Sequence, residues 1–392
     1  MWMAVACRTV RNQCMALRRL RFLSVLATFL VCTIFATTSR AWSQNSDSNS
    51  NQSWTSTSDR QDSNVGSQTR TSESHTKTGN HTIDKQTIEI QRSGSYEPYQ
   101  DIERESTQVD ASTTRTTVRT YGRDSNGHRV LTQVTDEEKH DVPGGGSKLV
   151  RSTSNPDANG RLAVVQRQVE DTTKLGQNVE ETKSTTYLPG VDGGLVPSMQ
   201  VQERREHVDD HTVKFEKSTM LPDGAGNWQV GERKDGTITD DGKNRTSEEH
   251  VARQDGSGNL GEVSRTVSRE ARNGAGGSQS VEESYSKDVP GVSADGRLHL
   301  VQRITVNRDS SKTGDSTRQQ IEQVNPGNPS AGLQVTVGST GSEQSAASGT
   351  NGTQTIETRG ADGRLRVVSV DMTKSDKTPA VEVQIAPANK PK

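Results

Sequence analysis

The stretch Gly296-Arg297-Leu298-His299-Leu300-Val301-Gln302-Arg303 has near-copies at Gly160-Arg161-Leu162-Ala163-Val164-Val165-Gln166-Arg167 and at Gly363-Arg364-Leu365-Arg366-Val367-Val368. A unit that recurs along a chain folds as one supersecondary element and buries its apolar side against its own neighbours. With the leucine of Gly-Arg-Leu as marker, the equivalents are Val130, Leu162, Met199, Trp228, Leu260, Leu298, Leu333 and Leu365. Seven intervals separate Val130 from Leu365, which sets a mean period of about 34 residues, well inside the range of repeat architectures.

Each unit divides into two strand-like halves. The first carries apolar residues at the marker and two places on, as in Leu162 and Val164, Trp228 and Val230, and Leu333 and Val335. Arg follows five places after the marker at Arg167, Arg233, Arg265 and Arg303. Period-two patterning sends alternate side chains to opposite faces of a strand. The second half reads Val or Ile then Glu, at Val179-Glu180, Val281-Glu282, Ile321-Glu322 and Ile356-Glu357. Turn residues separate the halves: Leu188-Pro189-Gly190, Leu221-Pro222-Asp223-Gly224, Val289-Pro290-Gly291 and Asn325-Pro326-Gly327, followed by Asn159-Gly160, Asp295-Gly296 and Asp362-Gly363. Pro fixes φ for a turn, and Gly takes the positive φ that a hairpin needs. Short connections join antiparallel neighbours.

The fold expected is therefore all-β: a repeat array of antiparallel β-hairpins of about 34 residues over 121–373, forming an extended twisted sheet. The alternative is a parallel β-solenoid with one repeat per coil. Antiparallel Val164-to-Val179 neighbours mark the first arrangement, and Leu162 stacked beside its next-repeat equivalent marks the second.

Composition limits the core. Apolar residues are 27% of the 392 and aromatics 3%, against roughly 45–50% apolar, glycine included, in globular domains. About six buriable aliphatic groups per unit cannot offset the entropy of ordering a whole unit, so a single unit does not fold alone. Residues 44–81 are a Ser/Asn/Thr-rich tract expected to be a disordered linker. Residues 82–120 read as irregular strands leading into the array. Ser339 to Thr353 reads as a Ser/Gly/Ala loop that interrupts it, and 374–392 as a terminal strand, Val381–Ile385, with a frayed tail.

The first 43 residues read as a signal peptide. Arg8, Arg11, Arg18, Arg19 and Arg21 precede an apolar run from Phe22 to Ala36, and Ala41-Trp42-Ser43 supplies the small residues of a cleavage site. Retention as an uncleaved anchor is the alternative, and is the one route to a membrane. All three cysteines, Cys7, Cys14 and Cys32, fall in this segment, so the processed chain carries no disulfide, thiolate metal site or cysteine nucleophile. The segment also carries six of the 48 basic residues and none of the 50 acids, which leaves 42 against 50, a net −8. That balance offers no footprint for nucleic acid. The expected location is secreted, periplasmic or at the cell surface.

Asp157-Ala158-Asn159-Gly160-Arg161-Leu162, with shorter Asp-Gly-Arg-Leu copies at Asp295 and Asp362, resembles the core of YD/RHS repeats. That resemblance implies β-hairpin units winding into a large sheet. It covers only these few residues of each unit: the Tyr before Asp is missing and the period is longer.

Few residues stand out as chemistry. His207, Asp209 and His211 share one face if extended, the spacing of a divalent-metal candidate, although Arg204, Arg205 and Lys214 oppose a cation. Asp124-Ser125-Asn126-Gly127 and Asp255-Gly256-Ser257-Gly258-Asn259 echo calcium loops without the further acidic ligands. Trp228, Tyr187 and Phe215 are the candidate rings for a ligand platform. The Glu-Glu pairs recur from unit to unit and mark scaffold; no catalytic set and no cofactor site is read. The function expected is a non-enzymatic surface, matrix or adhesion scaffold acting by sheet-edge or face contacts with itself or other surface proteins. An envelope binding module for a small ligand or polysaccharide is the alternative.

Overall fold

A computed structural model describes residues 52–62, 67–274, 276–289, 295–311, 314–325, 327–346, 349–360 and 362–376. The expected signal peptide, strand Val381–Ile385 and tail lie outside them.

The described chain is a meander of long strands: β1 Gln52–Asp62, β2 Ser67–Thr78, β3 His81–Arg92, β4 Ser95–Gln108, β5 Thr113–Arg123, β6 Arg129–Val142, β7 Gly146–Pro156, β8 Leu162–Lys174, β9 Val179–Pro189 and β10 Leu195–His207. It continues through β11 Thr212–Pro222, β12 Trp228–Asp240, β13 Asn244–Gln254, β14 Leu260–Arg272, β15 Ser278–Ser286, β16 His299–Ser311, β17 Gly314–Val324, β18 Leu333–Ala346, β19 Gly349–Arg359 and β20 Leu365–Asp376. Thr, Val, Ser, Glu and Arg fill these strands, and the β-branched members suit a pleated surface. Every strand pairs antiparallel with the next, so no described pair has the parallel register of a solenoid. The neighbour expected for Val164 is replaced: Val164 faces Ser154, and Val179 faces Glu206.

The sheet extends beyond the bounds read from the sequence. Residues 52–62 and 67–78, expected within a disordered linker, form β1 and β2, and β2 pairs along ten positions with β3. Backbone ladders need no apolar side chains, so a Ser/Thr tract joins a sheet whose next strand is already in place. Residues 82–120 are regular strands for the same reason. Ser339 to Thr353 does not interrupt the array: Ser339 pairs with Ile356 and Gly341 with Gln354. β1 pairs with β20 at Gln61 and Val370, so the pairing runs round to its start. The first and the last of the described strands are thus the two that meet.

A recurring irregularity sets the repeat. From β3 onward, the register of each odd strand against the following even strand skips a single residue of the latter, a β-bulge. The skipped residues are Tyr99, Thr132, Val165, Ser198, Gly231, Val263, Val301, Thr336 and Val368. The first five are evenly spaced at about 33 residues, a tighter period than the markers show. The marker residue stands three places before the bulge in six units. In the other units that place belongs to Tyr96, Arg129 and Leu195, which replaces Val130 and Met199 as markers and adds a unit at the N-terminal side. Where the bulged residue is Ser or Thr, its hydroxyl donates to a carbonyl of the facing strand: Thr132 to Thr120 at 3.0 Å, Ser198 to Thr186 at 3.1 Å and Thr336 to Ile321 at 3.2 Å.

The bulge is also where the sheet divides. Pairing of an even strand with the next odd strand stops just past it, at Asp101 with Tyr121, Arg167 with Tyr187 and Gln302 with Gln323. Each odd-even hairpin continues alone as a two-stranded finger. At β5–β6, β7–β8, β11–β12 and β13–β14 the tip is an Asp-x-x-Gly turn. The Asp157 amide donates to the Arg161 carbonyl, and its carboxylate accepts the amides of Asn159 and Arg161 at 2.8 and 2.9 Å. Gly160 supplies φ +75°, which an L side chain rarely adopts. The same pair of amide-to-carboxylate bonds recurs at Asp124, Asp223 and Asp255.

A single layer with splayed fingers buries little. The buried apolar residues among those described are Val134, Met220, Val251 and Val289, and no side chain is fully enclosed. Of the marker leucines, expected on an apolar interior face, three on the fingers are exposed, Leu162 at 52%, Leu260 at 42% and Leu365 at 39%, and Leu298 and Leu333 are half-buried. Past the bulge no neighbouring hairpin covers the exposed three.

Candidate functional site

Residues directly opposite in an antiparallel pair share a face, and following the register sorts the wall into two. One face, the tyrosine face, carries Tyr96, Tyr121, Tyr187, Trp228 and Tyr285. It also carries ion-pair ladders. Glu283 accepts from Arg303 Nη2 at 2.8 Å and from the Tyr285 hydroxyl at 3.1 Å, with Arg269 at 3.7 Å. Asp101 and Glu103 hold Arg129 at 3.1 and 2.7 Å, and Asp101 holds Arg123 at 2.6 Å. The Arg303 bonds hold the Glu283 carboxyl below its ordinary range.

The opposite face is lined by hydroxyl and amide ladders, Ser106 with Thr116 at 3.0 Å, Thr172 with Thr182 at 3.1 Å and Gln168 with Ser184 at 2.9 Å. It has charges of its own in Arg253 with Glu232 at 2.9 Å, Lys217 with Glu203 at 3.6 Å and Arg151 with Glu137. Both faces thus carry charged side chains at mid-strand, positions that are costly on the lipid-facing side of a membrane barrel.

The residues singled out by sequence are placed as follows. His207 ends β10 and Asp209 lies in the following turn, where its carboxylate accepts the His211 amide at 2.8 Å. His211 Nδ1 lies 3.0 Å from the Asp240 carbonyl, on the next hairpin. These bonds engage two of the three groups locally, and among the described residues no set of three or more His, Cys, Asp or Glu is arranged to hold a metal. Asp124 and Asp255 have their carboxylates turned into their own hairpin tips, as above. The backbone amides hold the carboxyls of Asp124, through His128, and of Asp223, through Ala225, below the ordinary aspartate range.

The three rings divide. Phe215 lies on the opposite face, across from Gly236; a Cβ on Gly236 would stand 2.7 Å from the ring. Tyr187 and Trp228 share one cleft of about 370 Å³ with Val169, Thr185, Pro197 and Gln200, and with Lys183 and Asp171 at its side. Tyr187 pairs with Pro197 and belongs to the finger of β9 and β10. Trp228 pairs with Pro222 and belongs to the next finger, of β11 and β12. Pairing between those fingers stops at Gln200 with Met220, so the cleft is the notch between their roots, floored by the buried Gln200. Gln200 and Thr185 were not read from the sequence; glutamine and threonine are common along the array, and only register places this pair beneath the two rings. A second concavity of about 380 Å³ is lined by Arg204, Glu206, Lys214, Glu216, Glu248 and His250.

No protein-family model matches the chain, and no curated protein matches it. Solved structures with a similar strand arrangement include the siderophore receptor PirA from Pseudomonas aeruginosa, 11% identical, covering 83% of this chain and 80% of the receptor with a TM-score of 0.45. The copper transporter OprC is 8% identical, covering 84% and 81% with a TM-score of 0.43. The ferric citrate transporter FecA is 10% identical, covering 84% and 79% with a TM-score of 0.38.

Proposed function

We propose that this chain is an exported, non-enzymatic scaffold of the cell envelope or cell surface. It works through contacts made by the hairpin fingers and faces of a barrel-like β wall. The observation that carries this reading is the division of labour within each unit. Charged and hydroxyl groups of the wall are engaged with one another across strands, whereas the aliphatic residues Leu162, Val164, Leu195, Leu221, Leu260 and Val367 stand exposed on the fingers. A row of exposed aliphatic groups on repeated projections is what a self- or partner-contacting surface requires. Sheet-edge pairing is given less weight than in the sequence reading, because β1 and β20 pair with each other.

The test is secretion of the full chain followed by sedimentation of the purified product across a concentration range, with surface retention measured on the producing cells. The expected results are a mature N-terminus near residue 44 and association weakened by the combined substitution Leu162→Ser, Leu260→Ser and Leu365→Ser, with the β-type circular dichroism unchanged. Monomeric behaviour at every concentration, together with surface retention that the triple variant keeps, sinks the finger-contact reading.

A second reading, a binding module for a small ligand or polysaccharide, is favoured by one observation: Tyr187 and Trp228, which belong to different hairpins and are distant in sequence, line a common cleft.

A further inference from the structure

Equivalent positions around the wall make the Tyr187 cleft unusual. The residue just past the register shift, on the tyrosine face, is Tyr121, Tyr187 or Tyr285 in three units. In two of them an arginine covers the ring. The Arg129 guanidinium lies 3.5 Å from the Tyr121 ring centre, and that of Arg265 lies 5.0 Å from Tyr285. Arg70 covers Tyr96 in the same way at 4.0 Å. The position that holds Arg129 beside Tyr121 is held by Leu195 beside Tyr187, and the one that holds Arg265 opposite Tyr285 is held by Arg167, which pairs with Tyr187 without stacking on its ring. Among the described residues no cation stacks on Tyr187 or on Trp228, and these are the two rings that share the cleft.

We infer that the notch between the Tyr187–Pro197 and Pro222–Trp228 hairpins is a binding site for a neutral oligosaccharide. This rests on the binding-module reading above and gives it a ligand class. Sugar rings present C–H faces that stack on aromatic rings and hydroxyls that need hydrogen-bonding partners around the stack, and the cleft supplies both kinds of group. Tyr187, Trp228 and Pro197 are the stacking surfaces; Gln200, whose Nε2 donates to Thr185 Oγ1 at 3.3 Å and whose Oε1 accepts from Gln202 at 3.4 Å, keeps a second amide hydrogen, and with Thr185 it supplies the neutral polar groups of the lining. Lys183 and Asp171 face each other in register, and Arg167, which stands opposite Tyr187, is not among the residues that line the cleft; the charge lining the cleft is therefore balanced and favours a neutral ligand. The rings stand on β9 and β12, three strand steps apart, or about 14 Å at about 4.8 Å per strand. That span suits a short oligosaccharide rather than one sugar.

The experiment is calorimetric titration of the full-length protein with maltohexaose, cellohexaose and chitohexaose, with hexagalacturonate and 4-nitrophenol as probes of other chemistry. At least one neutral hexasaccharide should bind, and Trp228→Ala and Tyr187→Ala should each weaken it by about tenfold or more. Phe215→Leu, on the other face, should leave the affinity unchanged. Circular dichroism of each variant separates loss of the site from loss of the fold. Binding of the neutral sugars that both ring variants retain overturns the assignment to this cleft. Binding of hexagalacturonate or 4-nitrophenol alone, lost in Trp228→Ala, overturns the ligand class while the binding module stands. No binding by any of the five overturns both.

Discussion

Thr132 donates its hydroxyl to the backbone carbonyl of Thr120 at 3.0 Å, across the point where the register of β5 and β6 slips by one residue. The slip disrupts the ladder locally, and the bulged side chain bonds a carbonyl at that break. Thr132→Val keeps the shape and removes the donor, so a loss of about 0.5–1.5 kcal/mol is expected, read as an earlier urea midpoint. The reverse change, Val165→Thr at the equivalent place, should move the midpoint the other way. An unchanged midpoint in both variants would show that water serves this carbonyl equally well.

Acid should weaken the protein in a defined window. The carboxyl of Asp110 is drawn down from its ordinary 3.8 to about 2 by bonds from the Ser112 amide and hydroxyl and from Thr113. Asp124, Asp223 and Glu283 are also held low. A carboxyl with a lower pKa in the folded state contributes stability above its unfolded pKa and loses it as pH falls through the folded one. Thermal midpoints should therefore be nearly level from pH 7 to about pH 5 and fall progressively below about pH 4. Asp110→Asn should flatten the lowest part of that curve, near pH 2. A midpoint that rises on acidification contradicts this linkage.

Gly236 is a packing position rather than a turn. It lies opposite Phe215 in the β11–β12 ladder, where a Cβ would come 2.7 Å from the ring and closer still to the Glu248 carbonyl. Gly236→Ala forces both the ring and the carbonyl to give way, at a cost of about 1–3 kcal/mol or more. The double variant with Phe215→Leu should recover part of that loss in chemical denaturation. Full additivity of the two changes would show that they do not meet.

The return of the sheet to its first strand is open to a covalent test. Directly opposed residues have Cβ atoms about 4.5–5.5 Å apart, and Gln61 faces Val370. In a chain lacking Cys7, Cys14 and Cys32, the pair Gln61→Cys and Val370→Cys should oxidise to one intramolecular disulfide, visible as a two-hydrogen mass loss and a faster non-reducing gel band. Free thiols after mild oxidation would mean that the two strands do not meet.

Much of the fold was legible in the chain. Alternation in Leu162-Ala163-Val164 and the Gly of Asn159-Gly160 act within a few residues, so strand, turn and antiparallel order follow from local chemistry. The limits of the array were harder to read. The Ser/Thr tract of β2 carries no apolar signal, and only the waiting edge of β3 makes it a strand. The markers Val130 and Met199 failed for a similar reason: Arg129 and Leu195 hold their places by distance from a bulge, and a bulge is a property of two strands in register.

The candidate site was legible only in part. Tyr187 and Trp228 drew notice as scarce rings, yet nothing near them in sequence distinguishes them from Phe215, which pairing puts on the other side of the wall.

By itself the sequence determined a chain that pairs into repeated antiparallel hairpins with Asp-x-x-Gly tips, because those preferences are settled by side chains close together along the backbone. Only the tertiary structure decided that Leu162, Leu260 and Leu365 stand in solvent, that β1 meets β20, and that two distant rings share a notch. Each of these depends on how far pairing extends between strands and where it stops, and that is fixed jointly by segments far apart in the chain.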